Sequence, residues 1–184
     1  MAGNIPYLET LLKKIIPLKM SWAGQCTINI ARHKNILKLL AKSGCKLLSV
    51  GIEGINQEGL DEFNKSWVKT ADTAALLKNI RKAGIVIFAS FLIGTDHDTE
   101  ETIRKTSRFI AKSKIAIPVF NLLTPLPGTY LFKKLKQENR LLHEDFNRYN
   151  GFTCVHRPAQ MTPATTDAMY WWIYNDTYSI TNIL

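Results

Sequence analysis

A chain of 184 residues, 46% of them hydrophobic, is long enough to bury one real core and too short to require several domains. No apolar stretch approaches the roughly 20 residues that span a bilayer, and positions 1–10 lack a charged-then-apolar signal layout, so a cytoplasmic protein without a membrane span is expected. The formal net charge of +9 is compatible with nucleic acid, an anionic cofactor or a solvated surface; because the lysines and arginines fall on helical faces (Lys13, Lys14, Lys34, Lys38, Lys78, Arg81) and no arginine- and aromatic-rich patch stands out, a solvated outer face is favoured over an RNA groove.

Taken in chain order, the first apolar stripe, Leu8, Leu11, Leu12, Ile15 and Ile16, has helical spacing. Cys26–Ile30 then has strand character, followed by a helix on Ile36, Leu39 and Leu40 and a strand over Cys45–Ile52. A helix on Leu76, Leu77 and Ile80 precedes Ile85–Ile93, an apolar run of the kind a parallel strand shows when both its faces are covered. Asp98 with Glu101 three residues later reads as a capping box opening a helix on Ile103, Phe109 and Ile110. The fourth strand is Ile117–Leu123, with Pro118 confined to its first residue or so because proline cannot donate to a ladder.

Gly44 and Gly84 each fall just past a helix, where a residue without Cβ takes the left-handed cap cheaply. Gly54 and Gly94 end strands, and the second member of each pair lies 40 residues after the first, so two successive units share one register. Such alternation with right-handed crossovers gives a parallel sheet. The expected fold class is α/β: a partial TIM-like (β/α) barrel of about four parallel strands with outer helices over residues 1–140, plus a C-terminal helical extension over 141–184. A doubly wound open sheet would show similar spacing. In the extension, Leu141–Pro158 is irregular, Thr162-Pro163 looks like an N-cap with proline at the first helical position, and Tyr170, Trp171, Trp172, Tyr174 and Tyr178 are read as packing rather than as a base-stacking surface.

In parallel β/α architectures the reactive end is the carboxyl edge of the strands. Glu53, a carboxylate directly after an apolar strand, is costly there unless it is paired or faces a ligand; it serves equally as an N-terminal carboxylate for a helix over Asn56–Asn64. Gly94 allows either the close approach of a ligand or a tight turn. Thr124-Pro125-Leu126-Pro127-Gly128 is a rigid turn suited to shaping a pocket wall through its carbonyls. The three cysteines, Cys26, Cys45 and Cys154, are odd in number and widely spaced, which fits buried thiols and neither a disulfide framework nor a metal knuckle.

Ser43-Gly44-Cys45 through Gly51-Ile52-Glu53, Leu60 through Lys65, Ala83-Gly84-Ile85 through Ile93-Gly94 with Asp98-Thr99-Glu100-Glu101, and Leu123-Thr124-Pro125-Leu126-Pro127-Gly128-Thr129 together resemble the later strands of radical S-adenosylmethionine (radical SAM) enzymes. The resemblance is closest to the branch that usually carries a cobalamin-binding domain, and it continues through Asn139–Leu142 and Arg157–Pro163 to Tyr178-Ser179. It implies strands three to six of a six-stranded partial barrel, with Asn4 just after the missing second strand. It further implies that Glu53 faces the nucleoside and amino-acid parts of S-adenosylmethionine, that Ile93 and Gly94 flank the adenine, that Thr124 and Pro125 close that pocket, and that Gln25, Thr27 and Asn29 face substrate. In such enzymes reductive cleavage gives a 5′-deoxyadenosyl radical, or a methyl group passes by way of cobalamin, the cofactors carrying the chemistry.

The departure is as informative. No CxxxCxxC loop is present, and a [4Fe-4S] cluster is held by cysteine thiolates at fixed spacing. Nor is there a DxHxxG cobalamin segment, since Asp96-His97-Asp98 lacks the spacing. The expectation is a C-terminal portion of a radical SAM enzyme, inactive alone, with no metal ligands or catalytic residues of its own and with no S-adenosylmethionine, cluster or cobalamin bound by this chain alone. Its partner would be the missing N-terminal half of the barrel, or another copy paired through the open strand edge. The alternative from another class is a non-catalytic basic β/α module for RNA or another polyanion, and a third is a different small enzyme using Glu53 or Asp96 as a general base.

Overall fold

Parallel strands need crossovers long enough to hold a helix, and the chain provides one between each pair. The computed structural model describes residues 3–55 and 70–183. Helix α1 (Ile5–Ile15) leads into β1 (Trp22–Cys26), α2 (Lys34–Lys42), β2 (Cys45–Glu53), α3 (Thr70–Lys82), β3 (Val86–Ile93), α4 (Glu100–Ser113) and β4 (Ile117–Leu122). The four strands pair in parallel in the order β1-β2-β3-β4. A doubly wound sheet reverses its strand order at a switch point, whereas a barrel wall does not; the sequential order is that of a wall.

Alternation along the strands sorts the residues onto two unlike faces. Leu48, Val50 and Ile52 of β2, Ile87, Ala89, Phe91 and Ile93 of β3, and Phe120 and Leu122 of β4 are buried. They belong to one core with Leu37 and Leu40 of α2, Leu77 and Ile80 of α3, and Ile103 and Ile110 of α4. Each Val, Leu, Ile or Phe side chain among them contributes about 1.5–3 kcal/mol when fully withdrawn from water. The opposite face is only half-covered: Leu47, Ser49, Gly51, Phe88, Ser90, Leu92, Val119 and Asn121 are intermediate, and Gln25 is exposed. The apolar run through β3 is therefore fully buried on one side and only half-covered on the other, where the sequence implied cover on both, because among the described residues nothing forms an opposite wall over the inner face.

Two boundaries also differ from expectation. The first strand is Trp22–Cys26, while Ile28–Arg32 form a 3-10 helix, closed by Ile30 N–H on Thr27 O (3.2 Å) and His33 N–H on Ile30 O (3.1 Å). Cys26, Ile28 and Ile30 alternate as a strand would, but the last two, both buried, sit in the 3-10 turn, whose Ala31 carbonyl accepts from Asn79 Nδ2 of α3 at 3.2 Å. The capping box lies one residue further on, between Thr99 and Thr102. Asp98 does not cap α4; its carboxylate turns back to the strand exit.

The glycines behave as the repeat requires: Gly44 and Gly84 both have positive φ, 87° and 76°. The exits do not repeat so closely. At the second, positive φ falls on Gly94 (87°), but at the first it falls on Glu53 (65°), where the β2–β3 register shifts between Gly51 and Glu53. An extra residue in one strand kinks it and re-aims the side chain that follows.

After α5 (Tyr130–Gln137), the irregular stretch is anchored by a bridge between Leu141 and His156, flanked by Leu142 N–H on Val155 O (3.0 Å) and Arg157 N–H on Arg140 O (2.8 Å). Thr162 caps α6 (Pro163–Thr177), accepting from Thr165 N–H at 3.1 Å, and a short α7 (Ile180–Ile183) follows. Tyr170, Tyr174 and Tyr178, spaced four apart and hence on one face of the helix, reach the outer edge of β4. Tyr170 and Tyr174 hydroxyls donate to Phe120 O (3.4 and 3.3 Å), Phe120 N–H donates back to Tyr174 (3.3 Å), and Tyr178 donates to Pro118 O (2.7 Å). The packing reading holds for Tyr170 and Tyr174, whereas Trp171 is 57% exposed; the tyrosine hydroxyls also satisfy the outer edge of β4, together with Gly151 O, which accepts from Leu122 N–H at 2.7 Å. None of the described helices is long and apolar enough to cross a membrane.

Candidate functional site

The polar residues of the inner face come from alternate positions of neighbouring strands. Gln25 pairs in register with Ser49, Ser49 with Phe88, Gly51 with Ser90, and Leu92 with Asn121. Ser49, Ser90 and Asn121 join the expected Gln25 on this surface and escape the sequence reading. Stepping by two from Gly51 or from Leu92 would find the serines, but only once the exposed face is known.

Glu53 is half-buried at the exit of β2. Its carboxylate folds back over Gly51: a Cβ placed on Gly51 would lie 2.6 Å from Glu53 Oε1 and 3.8 Å from Ser90 Oγ. Glycine at position 51 thus clears the space in which the carboxylate lies, on the inner face beside Ser90. The helix over Asn56–Asn64 that offered the competing explanation, and Leu60–Lys65, lie outside the described residues.

At the exit of β3 the backbone is held by side chains from two directions. Asp98 Oδ2 accepts from Gly94 N–H (2.9 Å), Thr95 N–H (2.8 Å) and Thr95 Oγ1 (3.0 Å), and burial pushes its pKa up. His156 Nε2 lies 3.1 Å from Gly94 O. A Cβ on Gly94 would come within 3.1 Å of the Thr166 methyl group of α6. Gly94 takes φ of 87° in the turn, and its Cβ side is filled by the extension. Ile93 is buried with its side chain on the helix-covered face, and its carbonyl accepts from Leu123 N–H at 2.8 Å; a ligand here would meet backbone.

Asp96 is committed to the Arg140 guanidinium, which donates from Nη1 at 2.8 Å and again from Nη2, while Ala159 N–H adds a bond of 3.0 Å. Arg140 holds the Asp96 carboxyl below the ordinary carboxylate range. A carboxylate so stabilised is a weak base, so this pair fastens the extension to the strand exit and the general-base role offered for Asp96 loses its support. At the fourth exit, Pro125 is buried and half-buried Thr124 donates its hydroxyl to Leu122 O at 3.0 Å. At the first, Thr27 is exposed beside Gln25, while Asn29 lies in the 3-10 turn and accepts from Arg32 Nε at 3.4 Å.

Lys13–Glu9, Arg104–Glu100 and Lys105–Glu101 are exposed pairs four residues apart on helices, at 2.7, 3.8 and 2.8 Å, each of small energetic weight.

Comparison with known proteins agrees with this geometry. The family model described as the radical SAM superfamily matches residues 4–110, more than half of the sequence, and the chain belongs to that superfamily. It is 32% identical over 84% of its length to bacteriochlorophyllide d C-12(1)-methyltransferase of Chlorobaculum tepidum, covering 34% of that protein. It is 29% identical over 86% of its length to the anaerobic magnesium-protoporphyrin IX monomethyl ester cyclase of Cereibacter sphaeroides, covering 26% of it. The chain thus spans about a third or less of these curated relatives. The fold matches the radical SAM methyltransferase TsrM of Kitasatospora setae. The TM-score is 0.63 at 22% identity to the form with cobalamin and a [4Fe-4S] cluster bound, over 73% of this chain and 26% of that one. It is 0.66 at 20% identity to the form with tryptophan and an S-adenosylmethionine analogue, over 90% of this chain and 34% of that one.

The residues present do not fit an iron–sulfur cluster. Cys26, Cys45 and Cys154 are all buried, and they lie on β1, on β2 and in the extension. Burial raises all three thiols, Cys26 and Cys45 to about 11, whereas cluster ligation takes thiolates. Among the described residues no group of three or more His, Cys, Asp or Glu is placed to hold a metal.

Proposed function

We propose that this polypeptide is the later part of a radical SAM barrel wall: it faces S-adenosylmethionine and substrate, it is inactive alone, and it works with a [4Fe-4S] cluster held by residues outside this sequence. The observation that carries the reading is the contrast between the sheet's two faces, one sealed by helices and one half-open with Gln25, Ser49, Ser90 and Asn121 on it and the Glu53 carboxylate at its upper end. In this reading Glu53 meets the nucleoside and amino-acid parts of S-adenosylmethionine, the backbone at Ile93, Gly94, Thr124 and Pro125 borders the adenine, and Gln25, Thr27 and Asn29 look toward substrate. Bound there, S-adenosylmethionine would supply a radical or a methyl group, and the relatives named above make methyl transfer, with cobalamin as a second cofactor, the favoured chemistry. This chain's own share is to position the reactants and exclude water.

Anaerobic reconstitution with iron and sulfide tests the central point. The chain should retain no cluster after desalting; a stoichiometric [4Fe-4S] cluster that disappears when Cys26, Cys45 or Cys154 is replaced would overturn the proposal. The reading also makes β1 the edge onto which the preceding strands of the wall pair. Since β4 is covered by the tyrosines of α6, pairing between chains should proceed through β1. Sedimentation velocity of the isolated chain should then show self-association that grows with concentration, and a monodisperse monomer throughout would remove that pairing.

A further inference from the structure

His156 is only 1% exposed and comes from the extension, at the bridge with Leu141. Its backbone is fixed on both sides by the Leu142–Val155 and Arg157–Arg140 bonds, and Arg140 Nε donates to Arg157 O at 2.8 Å. A carbonyl only accepts, so the contact to Gly94 O at 3.1 Å requires hydrogen on Nε2. The other ring nitrogen, Nδ1, is buried with no hydrogen-bond partner among the described residues, and it is the acceptor of the neutral ring.

We propose that His156 is a positioning residue: its neutral imidazole fixes the Gly94 carbonyl while Asp98 fixes the Gly94 and Thr95 amides, and the two together set the shape of the β3 exit turn. The inference rests on the proposed function only for the turn's purpose, as the backbone that borders the nucleoside. A glycine turn has many accessible shapes, and this one is gripped at both its N–H and its C=O by side chains from opposite sides. The grip depends on protonation. A second proton on His156 would go to Nδ1, where a buried N–H would find no acceptor, at substantial cost. The charged and titratable groups around the ring come from every element packed on it: Arg140 opposes protonation and Asp96 favours it, the Cys154 thiol donates to the His156 carbonyl at 3.2 Å, and Asp98 stands on the far side of Gly94. Burial is the largest influence and lowers the His156 pKa. For a histidine lowered in the folded state, stability is complete above the ordinary value near 6.5 and is lost as pH falls below it toward the folded value. The turn should therefore loosen in mildly acid solution.

The test is amide hydrogen exchange over residues 94–98, expressed as protection relative to intrinsic rates at each pH, in the full chain. His156→Leu removes the donor and should lower protection of the turn by about 10-fold or more while β2 and α4 keep theirs. His156→Gln, whose side-chain amide retains an N–H, should restore most of it. Between roughly pH 7.5 and 5.5 the wild type should lose protection at the turn and the glutamine variant should not; Asp96 and Asp98 titrate in both, so the difference isolates His156. Wild-type protection in His156→Leu overturns the proposal, and so do superimposable pH profiles for wild type and His156→Gln. If His156→Leu unfolds throughout, the comparison of those two profiles decides alone. Neither iron nor S-adenosylmethionine enters the measurement, so its failure is distinct from that of the reading above.

Discussion

Gly44→Ala should lower the stability of the fold by about 3–5 kcal/mol, in the range reserved for a few identifiable defects. Two effects combine. The backbone at Gly44 has φ of 87°, and an added Cβ would stand 1.8 Å from Met20 O and 3.0 Å from Met20 C. Those are backbone atoms, so no rotamer change relieves the overlap. The chain cannot easily retreat either, because Trp22 N–H donates to Gly44 O at 3.1 Å and the Trp22 indole donates to Ser43 O at 2.9 Å. This close approach is what locks the entry of β1 onto the end of α2. Gly84, at the equivalent point of the next unit, has φ of 76°, but a Cβ added there would meet nothing within 4 Å among the described residues. Gly84→Ala should therefore show only the left-handed penalty of about 1–2 kcal/mol. Urea unfolding of the two variants separates the contributions: equal losses would mean that the approach to Met20 is relieved at little expense.

The same pair of glycines shows how much is legible without coordinates. Spacing locates both helix ends, because a left-handed cap leaves a signature in residue type. It says nothing of Met20, whose approach depends on how the chain re-enters the sheet. The strands buried against helices are legible as apolar runs, and the wall follows from their alternation with helices. Where Cys26, Ile28 and Ile30 alternate, the pattern of a strand and that of a 3-10 turn packed on a neighbouring helix are the same, and the expectation of a strand there is wrong. Glu53 and Gln25 can be singled out because they stand at strand ends, whereas Ser49, Ser90 and Asn121 are small polar residues inside strands and gain meaning only when one face proves open. Asp98 misleads for a different reason. A carboxylate before a helix serves as a cap by default, and only the turned-back backbone of Gly94 and Thr95 reveals that its oxygen accepts there instead. His156 carries no signal at all, since its partner is a main-chain carbonyl 62 positions away.

Phe120→Ala is the second large loss expected, about 3–5 kcal/mol by the usual toll of truncating a buried aromatic ring. Phe120 is fully buried in β4, with its ring centroid 5.7 Å from that of Phe91 and 4.9 Å from that of Tyr174, the latter edge-on at 81°. Its side chain joins the sheet core to α6, and its backbone N–H and C=O are the groups that the tyrosine hydroxyls satisfy. Packing and edge coverage can be told apart by the companion change Tyr174→Phe, which keeps the ring and deletes the hydroxyl. That change should cost about 1–2 kcal/mol, the penalty for leaving buried backbone groups of β4 short of a partner. If Tyr174→Phe proved as damaging as Phe120→Ala in equilibrium unfolding, the hydroxyl ladder rather than the ring cluster would be what holds the extension to the wall. The expected order, with the ring loss larger, follows from area: a phenyl ring forfeits many contacts at once, while a hydroxyl at 3.3 Å to each of two backbone atoms forfeits two bonds of ordinary strength. A double replacement of Phe120 and Tyr174 by alanine should then fall short of the sum of the single losses, because each removes the edge-on contact that the other also makes.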